Sequence, residues 1–378
     1  MIDAMPIDIS FPPVPFSTRV DTSVGAVGRL ATRMAEIGML GRDGLVAIVA
    51  DVGAESVLGR AEASLLDAGA TVSVHRIEPM ETVKVQSTAD RIVEWAIDLG
   101  VSRGTPILAI GGGIVCDLAG HVAGTLLRGM PLVLVPTTLL AMVDAAFGGK
   151  TAVNVPLSGG RLGRNLVGGF HPAKLVVADI VALETLPERE LRAGFAECVK
   201  HGWVDGEEHL AWIESQAAQL AEPGPRRTSV LRPLVERSIA VKAGIVTRDP
   251  FEHGERRLLN FGHTYAHAIE ARAGNRWHHG EAVAIGMVAA VAAAVAGGRA
   301  EPSVLDRMRA LLDRLGLPVT LGEPIPLAEL RGPMALDKKR SGLALRLVLP
   351  DRVGRLEVVE APPEEMVAAG WRAVGATA

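Results

Sequence analysis

A chain of 378 residues with 48% hydrophobic and only 3% aromatic residues can fill two domains, with cores built from Ala, Val, Leu and Ile. A formal charge of −4 excludes a broadly basic surface for nucleic acid or an anionic membrane. Two distant cysteines, Cys116 and Cys198, exclude a disulfide framework and a cysteine metal pair.

The opening MIDAMPIDISFPPVPF lacks the basic and apolar regions of a signal peptide. The longest apolar run, Ile285 to Gly297, falls short of a bilayer span, so a soluble cytoplasmic protein is expected. Residues 1–24 read as an edge strand or irregular lead-in, since Pro6, Pro12, Pro13 and Pro15 block a helix. Helical and apolar extended patterns then alternate. A helix over 24–37 precedes a strand over 44–51 that ends in Asp51, and a helix over 54–68 precedes a strand over 70–78. A helix over 87–99 leads to a short buried strand over 106–110. Continuous apolar strands alternating with helices predict a parallel sheet covered on both faces.

That last strand runs into Gly111, Gly112 and Gly113 and then a helix. Glycines at such a turn let a backbone approach a pyrophosphate at the helix N-terminus, although Cys116 breaks the full dinucleotide fingerprint. Further on, GGKT at 148–151 invites a phosphate-loop reading, but Asp144 stands where that loop needs Gly, so a Walker-type NTPase is excluded. The glycines still permit a turn that aims Lys150 at an anion. Residues 156–165, PLSGGRLGRN, read as a Gly-rich loop carrying Arg161 and Arg164, and a strand over 174–179 closes the first half.

After about residue 183 strands give way to helical runs over 188–204, 207–220, 228–247, 258–273, 281–296 and 302–315, with a late hairpin over 343–349 and 354–360. Within 258–273, His263 and His267 share one helix face, and His279 opens the following helix. Imidazoles converging from two helices make a plausible metal half-site, and Lys242, Arg256 and Asn260 could hold an anion beside it. On the helix LRAGFAECVKHG, Glu197 and Lys200 share a face, and a Glu with two His is a zinc set that leaves positions open for substrate.

From about Ile107 to Leu349 the chain resembles dehydroquinate synthase and its relatives, the sugar phosphate cyclases. The resemblance rests on GGGIVCDLAG, RGMPLVLVPTTLLAMVDAAFGGKTAVN, RNLVGGFH, LPERELRAGFAECVKHG, ERRLLNFGHTYAHAIE, HHGEAVAIGM and LDKK. It implies a Rossmann-like α/β domain over 1–183 binding NAD and a mostly helical metal- and substrate-binding domain over 184–378, with the site between them. Carried over by position, zinc, or cobalt in its place, falls on Glu197, His263 and His279. NAD contacts fall on Asp51, Glu81, Lys84, Gly111, Gly112, Gly113, Asp117, Thr137, Thr138 and Asp179. Catalytic and substrate contacts fall on Asp144, Lys150, Asn165, Lys200, Lys242, Arg256, Asn260, His267 and Lys338. Arg128 matches a position that reaches the partner's phosphate site, which implies a homodimer.

Two departures stand at the substrate mouth. About five extra residues separate Asn154 from Asn165, and Arg164 replaces a usual Lys, with Val155 where His is frequent. Arg presents a planar fork rather than a compact ammonium. The activity implied is conversion of 3-deoxy-D-arabino-heptulosonate 7-phosphate to 3-dehydroquinate and phosphate. Transient oxidation by NAD, phosphate elimination, re-reduction and an intramolecular aldol closure accomplish it. A secondary-metabolic relative, such as an amino-dehydroquinate synthase or a sedoheptulose 7-phosphate cyclase, fits the same blocks. A metal-dependent polyol or glycerol dehydrogenase shares the two-part plan but has no phosphate for these cations to hold.

Overall fold

A computed structural model describes residues 16–40, 44–158, 162–273, 276–332, 334 and 344–377. Its first elements follow the sequence pattern: β1 (Arg19–Asp21), α1 (Leu30–Glu36), β2 (Leu45–Asp51), α2 (Glu55–Asp67), β3 (Thr71–Ile77), α3 (Gln86–Asp98), β4 (Ile107–Gly111) and α4 (Gly113–Thr125); β5 (Leu132–Pro136), a strand not among those expected, comes next. A π-helical turn, Ala141–Ala145, follows, and then β6 (Lys150–Pro156), β7 (Leu162–Phe170) and β8 (Leu175–Val177). Strands β1, β8, β5, β4, β2 and β3 lie in that order as one parallel six-stranded sheet. β4 and β5 are buried along their whole length, as unbroken apolar runs require in a sheet covered on both faces. The expected edge strand near the N-terminus is β1, paired only with β8.

Residues 162–165 correct one expectation. They are strand rather than loop: β6 and β7 form an antiparallel hairpin pairing Val155 with Gly163 and Lys150 with Phe170. Glycine within β7 concealed this, yet close packing demands it. A Cβ at Gly168 would lie 2.0 Å from the Thr151 carbonyl oxygen.

The second half is built from α5 (Glu188–Asp205), α6 (Glu207–Ala221), α7 (Pro225–Arg248), α8 (His263–Ala273), α9 (His279–Ala296) and α10 (Pro302–Arg314). Then come β9 (Ile325–Pro326), the hairpin β10 (Arg346–Arg352) and β11 (Arg355–Glu360), α11 (Glu364–Ala373) and β12 (Ala376–Thr377). The expected late hairpin is therefore present, whereas α11 and the short β9–β12 pair had no counterpart in the sequence reading. The predicted helix over 258–273 is divided. Glu255–Asn260 is a 3₁₀ turn, and Gly262, at φ +80°, reverses the chain so that α8 begins at His263. The next helix begins at His279, two residues earlier than expected, because the Glu281 carboxylate accepts the His278 backbone N–H at 2.8 Å.

Helix α9 is the hub of this half. Its 18 residues are apolar and long enough to pass for a membrane span, longer than the run counted from sequence, but 78% of the stretch is buried inside the protein. Gly280 sits where α9 crosses α5, and a Cβ there would fall 1.8 Å from the Ala193 carbonyl oxygen. Gly280→Ala is expected to force the helices apart and cost about 1–3 kcal/mol. A urea titration measures this, and an unchanged midpoint would refute the close-contact reading.

Candidate active site

The strand ends collect the site. β2 connects to β3 on one side while β4 lies on the other, so the sheet order reverses between β2 and β4. Ligands bind at such switch points beyond the carboxyl ends of the strands. Asp51 ends β2 and Gly111 ends β4, and a Cβ on Gly111 would fall 3.1 Å from the Asp51 Cβ and 2.8 Å from the Val115 Cβ. The N-terminus of α4, at Gly112 and Gly113, has no side-chain cap. Thr137 donates its N–H to the Gly111 carbonyl at 3.0 Å, and Thr138 stands against Gly112, 3.1 Å from where a Cβ would be. Bare amides at a helix start, beside a closely approached backbone, fit a dinucleotide pyrophosphate. Burial raises the Asp51 carboxyl above its usual range.

Lys84 is buried and pairs with Asp117, and it donates to Asn165 Oδ1 at 2.6 Å. Burial raises the Asp117 carboxyl, while Lys84 opposes that shift. Asn154 Nδ2 donates to the Glu81 carboxylate at 2.7 Å and to the Glu81 carbonyl at 2.8 Å. Asp179, among the NAD contacts that the resemblance implies, has backbone partners here. Its carboxylate is 1% exposed and accepts backbone N–H groups from Gly25 at 2.9 Å, Val27 at 3.1 Å and Val181 at 3.2 Å. That clamp fastens the lead-in to the end of β8.

The metal donors come from three helices. Glu197 lies on α5, His263 opens α8 and His279 opens α9. His263 Nε2 stands 3.6 Å from Glu197 Oε1, and His279 Nε2 stands 3.7 Å from the same oxygen. Both rings are anchored from behind, His263 Nδ1 against the Phe261 carbonyl and His279 Nδ1 against Glu270, each at 3.2 Å. Metal-binding imidazoles are held by this kind of outer contact. Glu197 is 1% exposed; its Oε2 pairs with the Lys200 ammonium, and its Oε1 has no hydrogen-bond partner. A buried carboxylate oxygen with no hydrogen-bond donor, facing two Nε2 atoms, fits a divalent cation of the zinc type. Burial, then Lys200 and His279, hold the His263 imidazole well below its usual range, in the neutral form that ligates. Burial also acts to lower His279, but Glu270 outweighs it and leaves the ring raised.

A second donor group, Asp144, Glu197 and His201, adjoins the first, and both His201 ring nitrogens are buried without a partner. Two ammoniums already occupy Asp144, so a cation there would meet their repulsion. Lys200 Nζ lies 2.8 Å from Asp144 Oδ2 and also contacts Glu197, while Lys242 pairs with Asp144 Oδ1 and donates to its carbonyl at 2.6 Å. Gly113 packs on Ala145, which carries this cluster up to the glycine turn.

Lys200 divides its contacts between Asp144 and Glu197, and Asp144 also pairs with Lys242. Burial first, and then the Arg256 charge, pull the Lys242 ammonium down to about 7 against the opposing attraction of the carboxylates. Between that value and the unfolded one of 10.5, the unfolded chain holds a proton that the folded chain lacks. Folding should therefore gain stability as pH rises through that interval, by at most about 1.4 kcal/mol per unit. Urea midpoints at pH 7 and pH 9 should rise more for the wild type than for Lys242→Met. Parallel pH dependences would overturn this.

Arg256 is 2% exposed and donates to the carbonyls of Pro250 and Gly148, the latter at 3.1 Å. A Cβ on Gly148 would fall 2.3 Å from Arg256 Nη2, so this glycine makes room for the guanidinium. Lys150, beyond the same turn, pairs with Glu252, which also accepts from Asn260 Nδ2 at 2.6 Å. The His267 ring stands edge-on to His263 at 5.8 Å. Arg128 stands apart, exposed at φ +68° in a turn, with no ion pair among the described residues. Lys338 and Arg161 lie outside the described residues.

Three site residues escaped the sequence reading. Glu252 gathers Lys150 and Asn260, Glu270 backs His279, and Asn154 holds Glu81. Only Glu270 left a trace, seven residues after His263 and so on the same helix face.

A parallel sheet with a glycine turn at its switch point, set against a Glu-His-His donor group and a cluster of buried cations on a helical half, defines a class of two-part enzymes. The particular family follows from comparison. Residues 74–193 match the profile of the 3-dehydroquinate synthase N-terminal domain and residues 194–340 that of its C-terminal domain. The 3-dehydroquinate synthase of Symbiobacterium thermophilum is 43% identical over 345 residues, 89% of this chain and 94% of that one. The chain belongs to the 3-dehydroquinate synthase family. Among solved structures, 2-epi-5-epi-valiolone synthase from Streptomyces hygroscopicus, with NAD+ and Zn2+ bound, superposes with a TM-score of 0.82 at 27% identity, covering 97% of this chain and 99% of that one. A 2-deoxy-scyllo-inosose synthase complexed with carbaglucose-6-phosphate, NAD+ and Co2+ gives 0.80 at 26% identity, covering 94% and 96%.

Proposed function

We propose that this chain closes a seven-carbon keto acid phosphate, 3-deoxy-D-arabino-heptulosonate 7-phosphate, to 3-dehydroquinate with loss of phosphate. The observation that carries the reading is Glu197, buried with its Oε1 lacking a hydrogen-bond donor between His263 and His279, and joined through Lys200 and Asp144 to the glycine turn. Bound at these two places, NAD supplies reversible hydride acceptance and zinc, or cobalt, supplies polarisation of an oxygen. Asp51, Glu81, Lys84, Asp117, Thr137 and Thr138 would hold NAD around Gly111–Gly113. Glu197, His263 and His279 would hold the metal.

The chain's own residues supply binding and proton handling. Lys242, drawn down to about 7, can hold or release a proton near neutrality. Lys200 and Asp144 place a charged pair beside the metal set. Arg256 with Lys242 would offer cations to a carboxylate, and the family resemblance gives Lys150, Asn165, Asn260, His267 and Lys338 to a phosphate. Arg128, turned away from its own site, would serve a second copy of the chain in a homodimer. The division near residue 183 would put NAD on the α/β half and the metal on the helical half. The reaction belongs to the shikimate route to aromatic amino acids, in the cytoplasm.

Because NAD returns to its oxidised form, turnover should release phosphate and a product of the dehydroquinate mass with no net NADH absorbance. Steady NADH accumulation on unphosphorylated polyols would replace this reading with a dehydrogenase.

A further inference from the structure

The tip of the β6–β7 hairpin carries three polar residues, Asn154, Arg164 and Asn165, and their contacts run in two directions. Toward the turn, Asn165 at φ +52° accepts from Lys84 at 2.6 Å, donates its own N–H to Asn154 Oδ1 at 2.9 Å, and Asn154 in turn holds Glu81. Toward the metal donors, Arg164 Nη1 donates to Glu270 Oε1 at 2.6 Å, and that same oxygen is 3.2 Å from His279 Nδ1. The second arm of the guanidinium, Nη2, stands 3.5 Å from Glu81 Oε1. One side chain thus touches a carboxylate from each side of the site.

We propose that Arg164 is a positioning residue that couples the cofactor side of the site to the metal side, through Glu81 and Glu270. The inference rests on the preceding reading of where NAD and the metal bind. The two limbs differ in strength. Glu270 is 6% exposed, so its charge depends on the partners it has, Arg164 and His279. Glu81 is 30% exposed and the longer contact is screened, which makes that limb weaker. A lysine is a point charge and can serve the Glu270 limb, whereas holding both carboxylates takes the two-armed fork. With Arg164 in place, occupancy of the turn fixes Glu81, which orients the fork on Glu270 and through it the His279 ring. By linkage the metal then tightens NAD as much as NAD tightens the metal.

Zinc affinity is measured by chelator competition, with and without saturating NAD, for the wild type, Arg164→Lys and Arg164→Met. In the wild type NAD should tighten zinc by between about 5- and 150-fold. Arg164→Met removes a contact to Glu270 rather than to a ligand, so it should weaken zinc alone by no more than about 10-fold, the low end for losing a ligand's own outer partner, and abolish the coupling. Arg164→Lys should keep zinc affinity near wild type and still lose most of the coupling. A lysine variant with full coupling overturns the fork, and a methionine variant unchanged in both quantities overturns the proposal, as does a wild type that binds both ligands independently. If the wild type binds neither zinc nor NAD, the site reading itself is wrong and the proposal goes with it.

Discussion

Glu197→Ala is expected to leave the purified protein without metal and to lower its stability by about 3 kcal/mol, the lower end of the range for breaking a buried charge pair. The two effects have separate origins. Glu197 Oε1 is the atom that both Nε2 nitrogens face, so its removal leaves two neutral donors that cannot hold zinc against a chelator. Glu197 also contacts Lys200, an ammonium 1% exposed, and without it Lys200 keeps only Asp144. That surviving partner is the reason for choosing the low end. His263→Ala separates the effects, since it removes a donor and leaves the Lys200 pair intact. Elemental analysis after dialysis against a chelator, with urea titration of the apoproteins, should show metal lost in both variants and the larger destabilisation in Glu197→Ala alone. Stoichiometric zinc in both variants would sink the assignment.

The sheet was legible because unbroken apolar runs such as LVAIVA at 45–50 have few other uses in a chain this poor in aromatics, although the strand at 132–136 was not among those expected. Helices α5 and α9 were legible from their length. The β6–β7 hairpin was not, because the glycines of PLSGGRLGRN made 156–165 read as loop, and crowding against Thr151 explains Gly168 further along the strand. Site residues divide in the same way. Glu197, His263 and His279 announce themselves by chemical type and by family resemblance. Glu252 and Glu270 look like ordinary surface charges in the sequence, and their meaning comes from contacts 102 and 106 residues away, with Lys150 and Arg164. Asp179 shows the converse. The resemblance puts it among the NAD contacts, while its partners Gly25 and Val27 lie 154 and 152 residues back and occupy the carboxylate in structure.

Arg256→Ala should reduce turnover of the keto acid phosphate far more than that of a neutral sugar phosphate. The family's shared fold cannot tell these substrates apart, since relatives that superpose over nearly the whole chain include cyclases of other sugars. What distinguishes the keto acid is one carboxylate. In this chain the candidates to receive it are Arg256, 2% exposed, and Lys242, whose ammonium feels the Arg256 charge. Two guanidinium nitrogens are already fixed on the carbonyls of Pro250 and Gly148, so the group is held in place before substrate arrives, and the remaining donors can meet an anion without reorganising. Removing a partner from a desolvated charge pair costs about 2–5 kcal/mol, which is roughly 30- to 5,000-fold in kcat/KM for the keto acid. A neutral sugar phosphate loses only the packing against Gly148, and its kcat/KM should fall much less. Arg256→Lys keeps the charge but not the two anchoring bonds, and should recover only part of the keto acid activity. The measurement is a panel of three substrates, the keto acid phosphate, its amino analogue and sedoheptulose 7-phosphate, run on wild type and both variants with phosphate release and product mass as readouts. Equal losses on acidic and neutral substrates would show that Arg256 only supports the Gly148 turn. A wild type that prefers sedoheptulose 7-phosphate would overturn the dehydroquinate assignment and leave the cyclase chemistry standing.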